Sequence, residues 1–546
     1  MPLVFCSIHA STFRWICCVT KRIPRNRVGL RATLIGCERP IPDMLKRLSV
    51  VLLALLWTCA PSVSAQSVMS ARTLIEAEQQ RGFAGTSVEP PGTPVPMLMT
   101  MRKDWVLMLH ANAFANNIQQ QVNSPRNRDA FFSTNWIMPM AQSSFGEKGR
   151  GGTLTLRAMF SLEPGAMSNR QYPELFQQGE TAFGKPIIDG QHPHDFVMEV
   201  GALYDLKLSH NTLLALYAAP VGDPAIGPTA YPHRLSASED PIAALGHHQE
   251  DSTHIAFNVF TGGLTYKWAR VELSGFHGGE PAEAHWHFQP SSNGHAVDSV
   301  ATRLTISPTA DWSGQYSIAH ITSPEALYPG EDQQRQTASV MYHHTFRSQP
   351  MPQNMPGMDM GDGKMNGMDM SSMQDMKDMP GMDMSGTDSA KKSGNTQAQQ
   401  PAAASHTMSE MPGMHMAAEP KLDLATSAIW GRTRSLTDNS KENSYLLEAL
   451  LRFGGTNYTW MRLENAGRSN ELLLPPGSAL PTGFSESPIG HVAAFTFGYD
   501  HDIKLGSKIL AAPGAQFTVY RTPAALVAAY GDTPTGETFF VRFRLH

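Results

Sequence analysis

Cysteine is missing wherever a disulfide could hold this chain together. The 546 residues include five, Cys6, Cys17, Cys18, Cys37 and Cys59, all within the first 59 positions. Charge is scarce too: Asp, Glu, Lys and Arg make up 17% of the chain, below the roughly 25% usual for soluble domains. Yet no apolar run reaches the length of a membrane helix, and mean hydropathy is −0.26, which excludes a membrane protein built on helices. No Ser/His/Asp set or carboxylate pair can be assigned to one site, so no catalytic and no cofactor-binding residue is named and an enzyme is not expected.

The N-terminus accounts for the cysteines. Met44-Leu-Lys-Arg, the apolar stretch Leu48 to Trp57 and small residues Val63 and Ala65 before Gln66 have the three parts of a cleavable secretory signal, residues 44–65. Residues 1–43, with seven basic and two acidic side chains, read as an over-extended start. The expected mature chain, Gln66 to His546, has no Cys, with 34 basic against 46 acidic residues and a net charge of −12. Exported, acidic and thiol-free, it needs no disulfide and makes a poor partner for nucleic acid.

What is abundant is period-two alternation. In Phe196 to Leu208, Met198, Val200, Ala202, Tyr204, Leu206 and Leu208 share one face while Glu199, Asp205 and Lys207 take the other. Leu447, Ala449, Leu451 and Phe453 oppose Glu448 and Arg452, and Phe539, Val541, Phe543 and Leu545 oppose Arg542, Arg544 and His546. Two-faced strands repeated to an aromatic-rich C-terminus predict an all-β fold, a transmembrane antiparallel β-barrel in the outer membrane of a Gram-negative bacterium, in contact with its lipid. About sixteen strands (14–18) are expected, starting near residues 104, 128, 151, 196, 211, 253, 269, 298, 311, 334, 421, 444, 456, 490, 507 and 537. They divide the chain into a periplasmic N-terminal segment 66–103, a first barrel part 104–348 and a C-terminal barrel part 421–546. Lumen-facing Glu199, Lys207, Arg270, Glu272, Glu448, Arg452, Arg462 and Glu464 are expected to line a channel or to pair across it.

Connections from even to odd strands should be short periplasmic turns. One is not: residues 349–420, which hold 16 of the 30 methionines. Met-x-Met units recur at Met358/Met360, Met368/Met370, Met382/Met384 and Met414/His415/Met416, with Met355, Met365, Met379 and Met411 between them, amid Gly, Pro, Ser and Asp. Such a segment cannot bury a core and reads as a disordered periplasmic loop. Neutral thioethers suit Cu(I) and, by the same softness, Ag(I), and these residues form the first candidate metal site. The repeated Met-Pro-Gly-Met-Asp-Met (Met355 to Met360, Met379 to Met384) resembles the Met-rich segments of the copper-resistance protein B family. That resemblance implies an outer-membrane barrel in copper tolerance, although in that family the segment precedes the barrel and here it interrupts it. A periplasmic copper-handling protein is the implied partner.

Three long outer loops carry the second candidate metal site. They contain His192, His194 and Asp195; His247 and His248; and His285 and His287. Imidazole with carboxylate suits Zn(II) or Cu(II). The main expectation is therefore an outer-membrane barrel that binds, tolerates or transports copper through its Met-rich loop. The alternatives are a porin-like channel with an incidental loop and, third, a barrel enzyme with a His-rich extracellular metal site.

Overall fold

The computed structural model describes residues 67–123, 126–146, 151–251, 256–287, 294–348, 415–416, 420–506 and 508–545. The expected over-extended start 1–43, the expected signal sequence 44–65 and all of the Met-rich segment except 415–416 and 420 lie outside them.

Sixteen long strands form one antiparallel sheet: β1 Trp105–Gln121, β2 Arg128–Ser144, β3 Thr153–Phe160, β4 Val197–Ser209, β5 Thr212–Gly222, β6 Ala256–Tyr266, β7 Ala269–His277 and β8 Ser299–Thr309. The second half is β9 Trp312–Ile321, β10 Gln333–Ser348, β11 Pro420–Ser435, β12 Lys441–Phe453, β13 Asn457–Ser469, β14 Pro488–His501, β15 Ile509–Arg521 and β16 Thr535–Leu545. Each strand pairs with its neighbour in sequence, β10 with β11 directly across the Met-rich segment. β16 returns to β1, from Thr535↔Gln121 to Arg544↔Asn112. The sheet is closed and has no barrel edge to protect.

Alternation sorts the side chains between two media. Outward-facing Val271, Leu273 and Phe539 are 57%, 63% and 53% exposed, while inward Glu272, between the first two, is 1% exposed. Tyr266, Trp268 and Trp312 add exposed aromatic rings around one rim. An apolar outer wall over a polar inner one belongs to a barrel that crosses a lipid bilayer. Short turns such as 210–211, 267–268 and 310–311 lie at the rim holding both chain ends of the barrel, and long connections 161–196, 223–255 and 278–298 at the other. By the usual orientation of such barrels the short-turn rim is periplasmic.

Two expectations change inside. The segment 66–103, expected in the periplasm, packs into the barrel: α1 (Leu74–Gln80), capped by Thr73, buries Glu78, which accepts from Thr265 Oγ1 at 2.5 Å. Beyond it, Arg81 pairs with Asp205 and Gly92 N donates to Ala310 O at 2.7 Å. The other change is Met198. A bulge between Val197 and Glu199 breaks the alternation, so Met198 turns into the interior instead of toward lipid.

Candidate functional site

The chain itself enters the lumen from two sides. Against β3 to β8 lies the N-terminal segment. Arg157 pairs with Glu199 at 2.7 Å and donates to the carbonyls of Arg81, Phe83 and Gly85, while Arg303 joins Glu272 to Thr86. Against β11 to β14 lies the connection 223–255, folded inward. Arg234, 0% exposed, joins Asp251 of its own loop at 2.7 Å to Glu448 of the wall at 2.8 Å. Arg462 reaches Asp240 and Glu448, and Leu245 N donates to Glu464 Oε1 at 2.5 Å. A guanidinium can stay buried only with carboxylates and carbonyls around it. Of the lumen charges read from sequence, Arg270, Glu272, Glu448, Arg462 and Glu464 therefore pair with inserted chain or one another, and Glu199 pairs with Arg157 of the wall. Lys207 is exposed at its strand end, and Arg452 donates to Gly455 O.

At the outer rim, Leu175, Phe176, Leu245, Leu472, Leu526 and Tyr530 from four connections pack as one apolar cap. Arg126 anchors it through Asp189 at 2.5 Å and the Tyr530 hydroxyl at 2.6 Å.

Beneath that rim the His-bearing loops converge. His192 Nε2 and His248 Nε2 lie 3.3 and 3.6 Å from the same oxygen, Oε1 of Glu180, and the three groups offer ligand atoms all within 4.8 Å of one another. The His285 ring stacks on His192 at 5.9 Å, and the His247 ring lies 4.0 Å from that of His248. His285 Nδ1 engages Asp195 Oδ1 at 2.6 Å, leaving Nε2 buried and unpartnered among the described residues. Burial, helped by Glu325 and Asp195, pushes Glu180 up to about 8. Burial, then the rings of His285, His194 and His247, holds His192 far below its ordinary value, in the neutral form.

Not every His named from sequence joins this cluster. His194 turns to Glu163 at 3.0 Å; burial opposes its charged form, but that carboxylate holds it above its ordinary value. Asp195 is occupied by His285, and His287 stays exposed. Sequence reading missed Glu180, which stands twelve positions before His192 in no repeating pattern. It is brought near by the hairpin in which Ile187 N donates to Glu180 O at 2.8 Å.

The first candidate site lies almost wholly outside the described residues: Met355, Met358, Met360, Met365, Met368, Met370, Met379, Met382, Met384, Met411 and Met414. Only His415 and Met416 are placed, as a two-residue strand paired with Ser67–Ser70 through Ser70↔His415 and Met69↔Met416. Ser67–Ser70 pairs in turn with the strand Val95–Arg102, which folds back on β1. From that strand Met97 and Met99 enter a buried cluster with Met108, Met138, Met140, Met159 and Met198. His233 Nε2 lies 3.1 Å from Met159 Sδ, and Trp136 sits between His233 and His110, its ring 4.3 and 4.6 Å from theirs. Beside them a cavity of about 150 Å³ is lined by Asp423, Arg452 and Arg544, residues at the short-turn ends of their strands. The sequence held a signal for this cluster. Met97-Leu-Met99 and Met138-Pro-Met140 have the Met-x-Met spacing of the segment, which on a strand puts both side chains on one face.

No protein-family model matches the chain, and no curated protein matches it in sequence. Among solved structures it is similar to the anion-selective porin from Comamonas acidovorans, at 10% identity and a TM-score of 0.40 over 81% of this chain and 99% of that one. It is similar also to Salmonella typhi OmpF in complex with daunomycin, at 8% identity and 0.39 over 81% and 99%, and to Pseudomonas putida OprB, at 6% and 0.39 over 80% and 94%. At such values the likeness adds nothing to what the strand pairings and the apolar outer wall establish directly: the chain is a closed, sixteen-stranded antiparallel barrel of outer-membrane type.

Proposed function

We propose that this barrel serves small solutes as a narrowed porin-like conduit, its lumen reduced by its own N-terminal segment and its inward-folded loop. The observation that carries this reading is Arg234, fully buried between Asp251 and Glu448: a side chain held from both sides fixes the loop across the lumen. A sixteen-stranded barrel without such inserts encloses an aqueous channel. The test is conductance of the purified protein in planar bilayers. Discrete openings well below those of an unobstructed sixteen-stranded pore are expected; a wide, steady, ohmic pore would overturn the reading.

A second reading, binding of Cu(I) with Ag(I) as its soft analogue, is favoured by one further observation. Buried Met ordinarily fills irregular gaps in a core. Here seven share one cluster, His233 touches one of them, Met159, and the cluster's strand Val95–Arg102 is tied through Ser67–Ser70 to the end of the Met-rich segment. The segment would collect the ion in the periplasm, lowering its free concentration or passing it to a periplasmic copper-handling protein. Full-length protein should then take up several Cu(I), and replacing the paired Met of 355–416 by Ala should remove most of them. Equal uptake by the two proteins would end this reading.

A further inference from the structure

We propose that Glu180, His192 and His248, with His285 as a fourth donor, form a binding site for one divalent transition ion such as Zn(II) at the outer mouth of the barrel. This stands apart from the conduit and from the soft-metal reading, and draws on different residues.

The geometry is that of a nearly assembled coordination shell. Four ligands about 2.0–2.2 Å from a tetrahedral Zn(II) lie roughly 3.3–3.5 Å from one another. Glu180 Oε1 is 3.3 Å from His192 Nε2 and 3.6 Å from His248 Nε2, so these three already stand near coordinating spacing, and His285, its ring 5.9 Å from that of His192, swings inward to complete the four. The outer shell is also present. His192 Nδ1 sits 2.9 Å from Pro193 O, and His285 Nδ1 2.6 Å from Asp195 Oδ1, and a ring nitrogen so engaged leaves the Nε2 lone pair for metal. For His285 that Nε2 is buried with no other partner among the described residues, and its ring already stacks on His192. Two imidazoles, a carboxylate and a third imidazole, with no thiolate and no thioether, favour Zn(II), Co(II) or Cu(II) over Cu(I).

The ligands come from three connections: Glu180 and His192 from 161–196, His248 from 223–255 and His285 from 278–298. One ion would therefore tie the loop that enters the lumen to two others above it.

The test uses the full-length protein purified in detergent and stripped with a chelator. Titrated with Zn(II), it should bind one tight equivalent and unfold at higher temperature; with Co(II) it should show the intense visible absorption of a tetrahedral site. His192→Ala with His248→Ala should abolish both signals, and Glu180→Gln should weaken binding at least tenfold, whereas His287→Ala should leave it unchanged. Should a variant lose the barrel, judged by circular dichroism and by migration of unheated protein on gels, the milder His248→Gln and His285→Gln substitutions test the same ligands. Unchanged stoichiometry and absorption in folded variants lacking these side chains would overturn the proposal, as would failure of the wild type to bind Zn(II).

Discussion

Arg234 and Glu448 stand 214 positions apart in sequence and 2.8 Å apart in space, Nε of the first donating to Oε2 of the second. Arg234 also donates to Asp251 and to Thr229 O within its own loop, so one guanidinium shapes the loop and fastens it to β12. Removing it leaves Asp251 and Glu448 buried with fewer counter-charges, which typically costs about 3–5 kcal/mol. Arg234→Ala should lower the thermal midpoint, expose 223–255 to protease and raise conductance. Arg234→Lys should recover little of this, because an ammonium cannot reproduce the planar fork that reaches both carboxylates. Unchanged conductance and protease resistance in Arg234→Ala would show that the loop is held elsewhere.

Gly431 in β11 makes room for the same loop. A Cβ there would meet the backbone of Gln249, and Glu250 N at 2.8 Å, in the helical turn His247–Glu250. Glycine inside a strand often marks such a close backbone approach. Gly431→Ala should leave the barrel intact, while displacing the turn costs about 1–3 kcal/mol as overpacking does. Faster cleavage within 223–255, with strand content unchanged by circular dichroism, is the expected outcome.

The strands were legible because their signal is local. Every strand start read from alternation lies within three residues of the observed one, since each residue faces either lipid or lumen and Leu447 beside Glu448 records that choice. The inserted chain was not legible. Nothing in 223–255 has a period, and nothing near Arg234 points to Glu448. Met198 escaped because one bulge reverses a face, and Glu180 because a hairpin, not a spacing, carries it to His192. The His loops were visible as His pairs, but whether they meet depends on how three connections fold over the rim.

Burial pushes Glu89 up to about 7, with Arg234 the main opposing influence and Glu448 adding to the rise. Glu89 lies in the N-terminal segment inside the barrel. A carboxyl that holds its proton more tightly when folded than when unfolded stabilises the fold fully below the unfolded value near 4.5. That contribution is lost as pH rises through the folded value. Between pH 4.5 and 7 the protein should lose stability for this reason and change no further on that account above. Glu89→Gln, which keeps the shape without the ionisation, should match the wild type near pH 4.5 and unfold at a higher temperature at pH 8. Coincident midpoints at both pH values would assign no such role to Glu89.

Thioether chemistry and packing can be separated in the buried cluster of Met97, Met99, Met138 and Met159. Leu has nearly the volume of Met, and such exchanges usually cost less than about 1.5 kcal/mol, so Met97→Leu with Met99→Leu should leave the barrel folded and close to wild-type stability. Leu offers no sulfur. If the cluster takes a soft ion together with His233, whose Nε2 lies 3.1 Å from Met159 Sδ, Met159→Leu should lower Cu(I) and Ag(I) uptake while Zn(II) uptake at the outer mouth stays as it was. The measurement is competition against a chromophoric Cu(I) chelator. It should use protein in which the paired Met of 355–416 are already Ala, so that only the lumen contributes. A residual Cu(I) equivalent that disappears with Met159→Leu places the ion at the cluster. A residual equivalent indifferent to Met97, Met99 and Met159, or none at all, leaves these side chains to packing alone.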